Sequence, residues 1–234
     1  MRLLAEGYKV AREIVNPINA PGDKIGVVFE NGKVIPVPGF REAYHFLQQN
    51  GWDSNSKCIK VETGMPLIMY KAIHEMNTGT CPALDVVHQT DQRCVKPDPP
   101  LREGKGQRTV HLEDAGPQVA GHHGLTESSY GSDTGDITTR SYPTDDPRIW
   151  KIKGTKIFIT AGDQGTYEHT IHLVLARPDG AAAGAAGIGL YVVPKIWVNE
   201  DGSMGSQNDV TTIGVEHKMG LHAQATALFN FDDE

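Results

Sequence analysis

Residues 150–160 read Trp150-Lys151-Ile152-Lys153-Gly154-Thr155-Lys156-Ile157-Phe158-Ile159-Thr160. Polar and apolar side chains alternate up to Gly154-Thr155, an apolar run follows, and the β-branched and aromatic content suits a half-buried strand. The alternation predicts a hairpin with Trp150–Lys153 and Lys156–Thr160 as its arms. Downstream, Ile171–Ala176, Gly187–Val193, Val210–Glu216 and Thr226–Phe231 repeat the strand pattern, with Gly, Pro, Asn and Asp between them. From about residue 150 onward the chain is expected to be β-structure.

Upstream the period changes. Leu3, Leu4, Tyr8, Ala11, Ile14, Val15 and Ile18 recur every three or four residues, which places them on one face of a helix that Pro17 and Pro21 are expected to close. Asn31-Gly32, between Ile25–Phe29 and Lys33–Val37, predicts a hairpin. A second helix is expected from Phe40 to Gln49, stopped by Gly51. A third begins at Pro66, carries Ile68, Met69, Ala72, Ile73 and Met76 as its apolar stripe and ends at Gly79. Helices first and strands second imply segregated α and β regions, not alternating βαβ units.

Between them, residues 88–123 break the pattern. Only 8 of these 36 residues are apolar, too few to offset the entropy of ordering the segment, and it is expected to be structureless. Read one base later, permitted codons for this stretch can encode Leu-Thr-Ser-Gly-Ala-Ser-Asn-Leu-Ile-Arg and then Trp-Leu-Gly-Thr-Met-Gly. A pair of compensating frameshifts would account for the lost periodicity.

The 22 Lys and Arg against 29 Asp and Glu leave a net charge of −7, which argues against a nucleic-acid groove or an anionic membrane as partner. No apolar run is long enough to span a bilayer and no secretory signal opens the chain, so a cytoplasmic protein is expected. Cys58, Cys81 and Cys94 form neither a CxxC pair nor an even set, so no disulfide framework is indicated. No metal site is expected either. His122-His123, His169 with His172, and His217 with His222 lack an acidic partner at ligand spacing, and 169 and 172 alternate faces of a strand. Gly184-x-x-Gly187-x-Gly189 precedes a strand and is expected to be a loop, not a dinucleotide fingerprint.

The most specific pattern is Gly124-Leu125-Thr126-Glu127-Ser128-Ser129-Tyr130-Gly131-Ser132-Asp133, followed by Gly154-Thr155-Lys156-Ile157-Phe158-Ile159-Thr160. Together they resemble the acyl-CoA dehydrogenase family of flavoenzymes, whose Thr-Glu-Pro-x-Ala-Gly-Ser-Asp loop precedes a Gly-x-Lys-x-(Trp/Phe)-Ile-Thr strand. Ser128 stands in the Pro position and Tyr130 in the Ala position. Leu173–Arg177, Gly187-Ile188, Val193-Pro194-Lys195 and Glu216-His217-Lys218-Met219-Gly220 resemble the remaining strands of the family's middle domain. The segment Pro194–Asn208 is similar to a longer subfamily that includes 3-methylmercaptopropionyl-CoA dehydrogenases.

The resemblance implies an α+β fold: an incomplete N-terminal helical domain over 1–87, the irregular segment 88–123, and an antiparallel β-barrel or sandwich over 124–234, without the family's C-terminal helical bundle. It implies FAD as cofactor, with Leu125 and Thr126 on the flavin ring, Phe158 packed against it, and Ile159 and Thr160 holding it through main chain and hydroxyl. Ser132 would face the thioester and the cofactor phosphates. The implied reaction is α,β-dehydrogenation of an acyl-CoA, with electrons passing to an electron-transferring flavoprotein, in an oligomeric enzyme. The family's Glu base lies in the bundle, so no catalytic residue is assigned. Glu127 and Glu216 are expected to make local hydrogen bonds, and the chain is expected to be an inactive fragment. The alternative reading is a non-catalytic binding module built on the β-domain.

Overall fold

Apolar residues three and four apart draw the N-terminal segment of the computed structural model into one continuous helical run, α1 (Arg2–Val10), a π-helical turn (Ala11–Val15) and α2 (Asn16–Ile25). The structure describes residues 2–52, 66–95, 119–167, 169–199 and 203–232. Ala11, Val15 and Ile18 are buried on the expected face, whereas Tyr8 is exposed. Pro17 and Pro21 do not close this helix. Pro17 follows the π-helical turn, where the helical hydrogen-bond ladder is already offset, and Pro21 stands within α2 with its ring toward solvent. The stop comes at Gly26, whose φ of 73° is left-handed.

The hairpin β1 (Val28–Glu30) and β2 (Lys33–Ile35) turns through Asn31 and Gly32, both at positive φ, as that dipeptide predicts. Ile25 belongs to α2 and not to the first arm. Helix α3 (Phe40–Gln49) has the predicted ends, with Gly51 at φ 71°. Helix α4 (Leu67–Thr80) runs through Gly79 and stops at Cys81, ahead of Pro82. Its buried line is Tyr70, Ile73 and Asn77, while Ile68 faces solvent.

Helix α5 (Pro82–Val95) and strand β3 (Val119–Gly124) correct the structureless reading at both of its ends. Residues 88–95 continue a helix whose anchors, Leu84 and Val87, are fully buried and lie just upstream of the polar segment. Asp85 adds a polar tie by accepting hydrogen bonds from Thr78 (2.8 Å) and Gln89 (2.7 Å) beside His74 (3.0 Å). Residues 96–118, the rest of the segment read as frameshifted, lie outside the described residues, as does Cys58.

The strands of the C-terminal region are β4 (Arg140–Pro143), β5 (Trp150–Thr160), β6 (His169–Pro178), β7 (Gly189–Pro194), β8 (Ile196–Val198), β9 (Met204–Gln207), β10 (Val210–Val215) and β11 (Thr226–Phe231). Among the described residues seven strands build one sheet in the order β10-β11-β5-β4-β6-β3, with β7 on the edge of β6 opposite β3; β8 and β9 form a separate hairpin. The α+β class stands, and the sheet is antiparallel except that β3 and β4 each pair with β6 in parallel.

Residues 150–160 are one strand, not a hairpin. Lys153 and its predecessors pair with β4, whereas Gly154 onward pairs with β11, so the strand changes neighbours at the glycine. Gly154 is there for close approach: a Cβ would lie 2.6 Å from Thr139 Oγ1 and 2.9 Å from Thr139 Cα. One core joins α2, α3 and α5 to the sheet through Phe40, Leu47, Leu84, Ala161, Tyr167 and Ala223, and a second lies within the sheet around Val174, Phe229 and Phe231. Among the described residues no helix is long and apolar enough to cross a membrane.

Gly154→Ala is expected to lower unfolding free energy by roughly 1–3 kcal/mol, through backbone strain and contact with Thr139. Urea unfolding checks this: the midpoint should fall while the slope stays unchanged.

Candidate functional site

The site is organised by a defect in β5. Lys156 pairs with Phe229 and Ile159 with Ala227, so Ile157 and Phe158 together oppose only Leu228. Phe158 takes up the bulge at φ 57°, a conformation a bulky side chain rarely adopts, and is 55% exposed. The Ile157 amide, freed from regular pairing, donates to the Thr126 carbonyl at 2.9 Å. The two motifs, some 25 residues apart in sequence, meet there.

The loop that receives this hydrogen bond is itself tightly folded. Glu127 and Tyr130 exchange main-chain hydrogen bonds of 2.9 and 3.1 Å around Ser128-Ser129. Ser128 thus occupies the position after the first residue of a tight turn, where proline is also favoured. The Glu127 carboxylate is buried. It accepts hydrogen bonds from the amides of Thr138 (2.6 Å) and Thr139 (3.0 Å), from both their hydroxyls (2.5 and 2.6 Å), and from Lys156 Nζ (2.8 Å). Burial alone would raise its pKa, but the donors from Lys156, Thr138 and Thr139 prevail and hold it at about 2. Lys156 is itself fully buried, which lowers its pKa against the opposing pull of Glu127, and its ammonium also donates to the Leu125 carbonyl at 3.2 Å.

These constraints open a cleft of about 200 Å³ between the loop and the bulge. Leu125, Thr126, Phe158, Ile159 and Thr160 line it, five of the six residues expected to contact cofactor. Ser132 is not with them; it is exposed on the loop leading to Asp133, whose carboxylate accepts from the Gly135 amide at 2.9 Å. Thr90 from α5 and His123 from β3 complete the lining. Sequence reasoning missed both, since Thr90 falls in the polar segment and His123 in a strand without a readable period.

Behind His123, His122 and His172 face each other across the parallel β3–β6 pairing, with Nε2 and Nδ1 2.6 Å apart and Phe229 against both rings. Both are buried, which lowers the pKa of His122 to about 3 and that of His172 well below the ordinary 6.5. Among the described residues no group of three or more His, Cys, Asp or Glu is arranged to hold a metal ion.

Residues 123–233 match the family model of the acyl-CoA dehydrogenase middle domain. A butyryl-CoA dehydrogenase of Syntrophomonas wolfei is 39% identical over 97% of this chain and 38% of its own length. A 3-methylmercaptopropionyl-CoA dehydrogenase of Ruegeria pomeroyi is 31% identical over 98% of this chain and 39% of its own. An acyl-CoA dehydrogenase from Bacillus anthracis, solved in complex with FAD, matches in fold with a TM-score of 0.66 at 16% identity, over 99% of this chain and 36% of that one. Residues 123–233 belong to the acyl-CoA dehydrogenase middle-domain family, and the chain spans less than two-fifths of the length of these curated relatives.

Two outcomes test the site's construction. Lys156→Met is expected to cost about 3–5 kcal/mol by leaving Glu127 buried without its counter-ion. Adding Glu127→Leu should return part of that loss, and a double-mutant cycle on chemical unfolding measures the coupling. Acid acts on the histidine pair. Because both bind protons less readily folded than unfolded, the pair's contribution to stability is complete above about pH 6.5 and is lost as pH drops below it. His122→Phe should flatten that slope in thermal melts taken across the range.

Proposed function

We propose that residues 124–234 supply the flavin-facing side of an FAD-dependent acyl-CoA dehydrogenase site, with residues 1–87 as its helical partner domain. The observation that supports this is the convergence of Leu125, Thr126, Phe158, Ile159 and Thr160 on one cleft through the Ile157–Thr126 hydrogen bond. Their chemistry fits the cofactor. Threonine hydroxyls and main chain offer neutral hydrogen-bonding groups for the polar edge of an isoalloxazine, and exposed Phe158 offers an aromatic face, without adding a carboxylate charge. The chemistry a bound flavin supplies is acceptance of a hydride from the β-carbon of the acyl thioester.

On this reading Thr126 and Thr160 orient the ring, Phe158 shields it from water, and Ser132, on the exposed loop, approaches the thioester side. Removal of the α-proton requires a base whose pKa is near the working pH. Glu127, held at about 2 with its oxygens engaged by five donors, cannot serve. No carboxylate lines the cleft among the described residues, and the chain alone is proposed to bind flavin without turning over an acyl-CoA. In the whole enzyme, electrons would leave for an electron-transferring flavoprotein.

Titration with FAD and then butyryl-CoA under anaerobic conditions tests the reading. Binding should appear as a change in flavin fluorescence, weakened about tenfold by Thr126→Ala. The band at ~450 nm should persist after butyryl-CoA is added. Bleaching would show that a base is present after all. A native β-rich fold with no flavin binding would favour the non-catalytic binding module.

A further inference from the structure

His222 does not line the cleft and sits at the junction of α2 with the loop between β10 and β11. Its Nδ1 is 2.7 Å from the Asp23 carbonyl and its Nε2 is 2.6 Å from the Lys218 carbonyl. A carbonyl oxygen can only accept, so each contact requires a proton on the ring nitrogen that makes it. Neutral imidazole carries one proton and leaves one nitrogen lone pair facing an oxygen lone pair. Only the imidazolium satisfies both.

The surroundings favour the same state. Asp23 belongs to the last turn of α2, where unpaired carbonyls and the helix dipole attract a cation. The Asp23 carboxylate lies 3.5 Å from Nδ1 and also accepts the His222 amide at 3.0 Å. Lys218 opposes protonation, but its ammonium is drawn off to the Gln224 carbonyl. Lys24, Glu216 and His217, whose ring is 5.8 Å away, complete the ionisable groups of this second cleft. The backbone hydrogen bonds to Asp23 and Lys218 raise the pKa of His222 above 6.5, outweighing its slight desolvation.

We propose that His222 is a proton-operated fastener: as the imidazolium it ties the end of α2 to the β10–β11 loop, and loss of its proton releases the tie. The fastened element matters to the sheet. The His222 carbonyl accepts the Val27 amide at 2.9 Å, and three residues on Ala225 accepts the amide of Ala161, the residue after Thr160. A proton at His222 thus controls how firmly the helical part is held to the strand register beside the cleft. Since the folded protein binds this proton more tightly than the unfolded chain, the stabilisation is complete below about pH 6.5 and fades as pH rises through the raised folded-state value.

Nitrogen-detected NMR of the histidine rings, with hydrogen exchange at Val27, tests the proposal on the whole chain. Both ring nitrogens of His222 should carry protons at about pH 6, with a titration midpoint above 6.5. Protection of the Val27 amide, corrected for intrinsic exchange, should fall about tenfold between about pH 6 and pH 9. In His222→Gln that fall should vanish. A ring with a single proton at the lower pH, a midpoint at or below 6.5, or the same pH-dependent protection in the variant would overturn it. The wild-type ring titration decides the matter even if the variant does not fold.

Discussion

One buried ion pair, Lys156 with Glu127, holds the cleft in shape. Both side chains are withdrawn from water, at a desolvation cost that a lone pair contact would not recover. Here the carboxylate is saturated by four further donors from Thr138 and Thr139, so its remaining lone pairs are satisfied. The ammonium touches the Leu125 carbonyl and the Glu127 carboxylate, so Thr126 is pinned between two points held by the same cation. An apolar substitute could fill the volume but could not fix the main chain on both sides of Thr126.

With the loop held, the strand can tolerate strain. Phe158, Ala161 and Asp163 all take positive φ within six residues, costly positions for side chains other than glycine. The segment is kept there by buried polar contacts on its far side. Lys195 and Thr212 bond the two oxygens of Asp163 at 2.5 and 2.8 Å, and Gln164 bonds the main chain of Ala223 and Ala225. The bulge that turns Phe158 toward the cleft thus lies between the Glu127 network and the Asp163 network, and neither end of β5 can relax it.

Features set by neighbours in sequence were legible. Asn31-Gly32 and Gly51 specify left-handed turns by their own conformational preference, and Thr226–Phe231 alternates because one face is buried. Features set by distant contacts were not. Gly154 signals a turn and a close approach with the same residue type, and only Thr139 decides between them. Pro21 breaks one hydrogen bond, which the packing of Ile18 and Gly22 outweighs. Helix α5 is anchored by Leu84 and Val87, upstream of the polar stretch, so its polar end carries no apolar period of its own. Of the site, the five residues inside the two motifs were indicated by the family resemblance those motifs carry; Thr90 and His123 were not, because nothing local marks a residue that another element carries into a cleft.

Three ionisable groups around the cleft share a property that bears on the chemistry proposed for it. Glu127 is fixed as an anion by its donors, with a pKa far below neutrality, while His122 and His172 are fixed as neutral rings by burial against Phe229. Over the pH range in which the fold is stable, none of the three changes charge. The field that these groups present to a bound ring is therefore constant, and redox chemistry there depends on shape and hydrogen bonding and not on their protonation state. The α2 junction differs from these three, because His222 there can change charge without altering theirs. Separating the two lets the attachment of the helical part respond to pH while the charges of Glu127, His122 and His172 stay fixed.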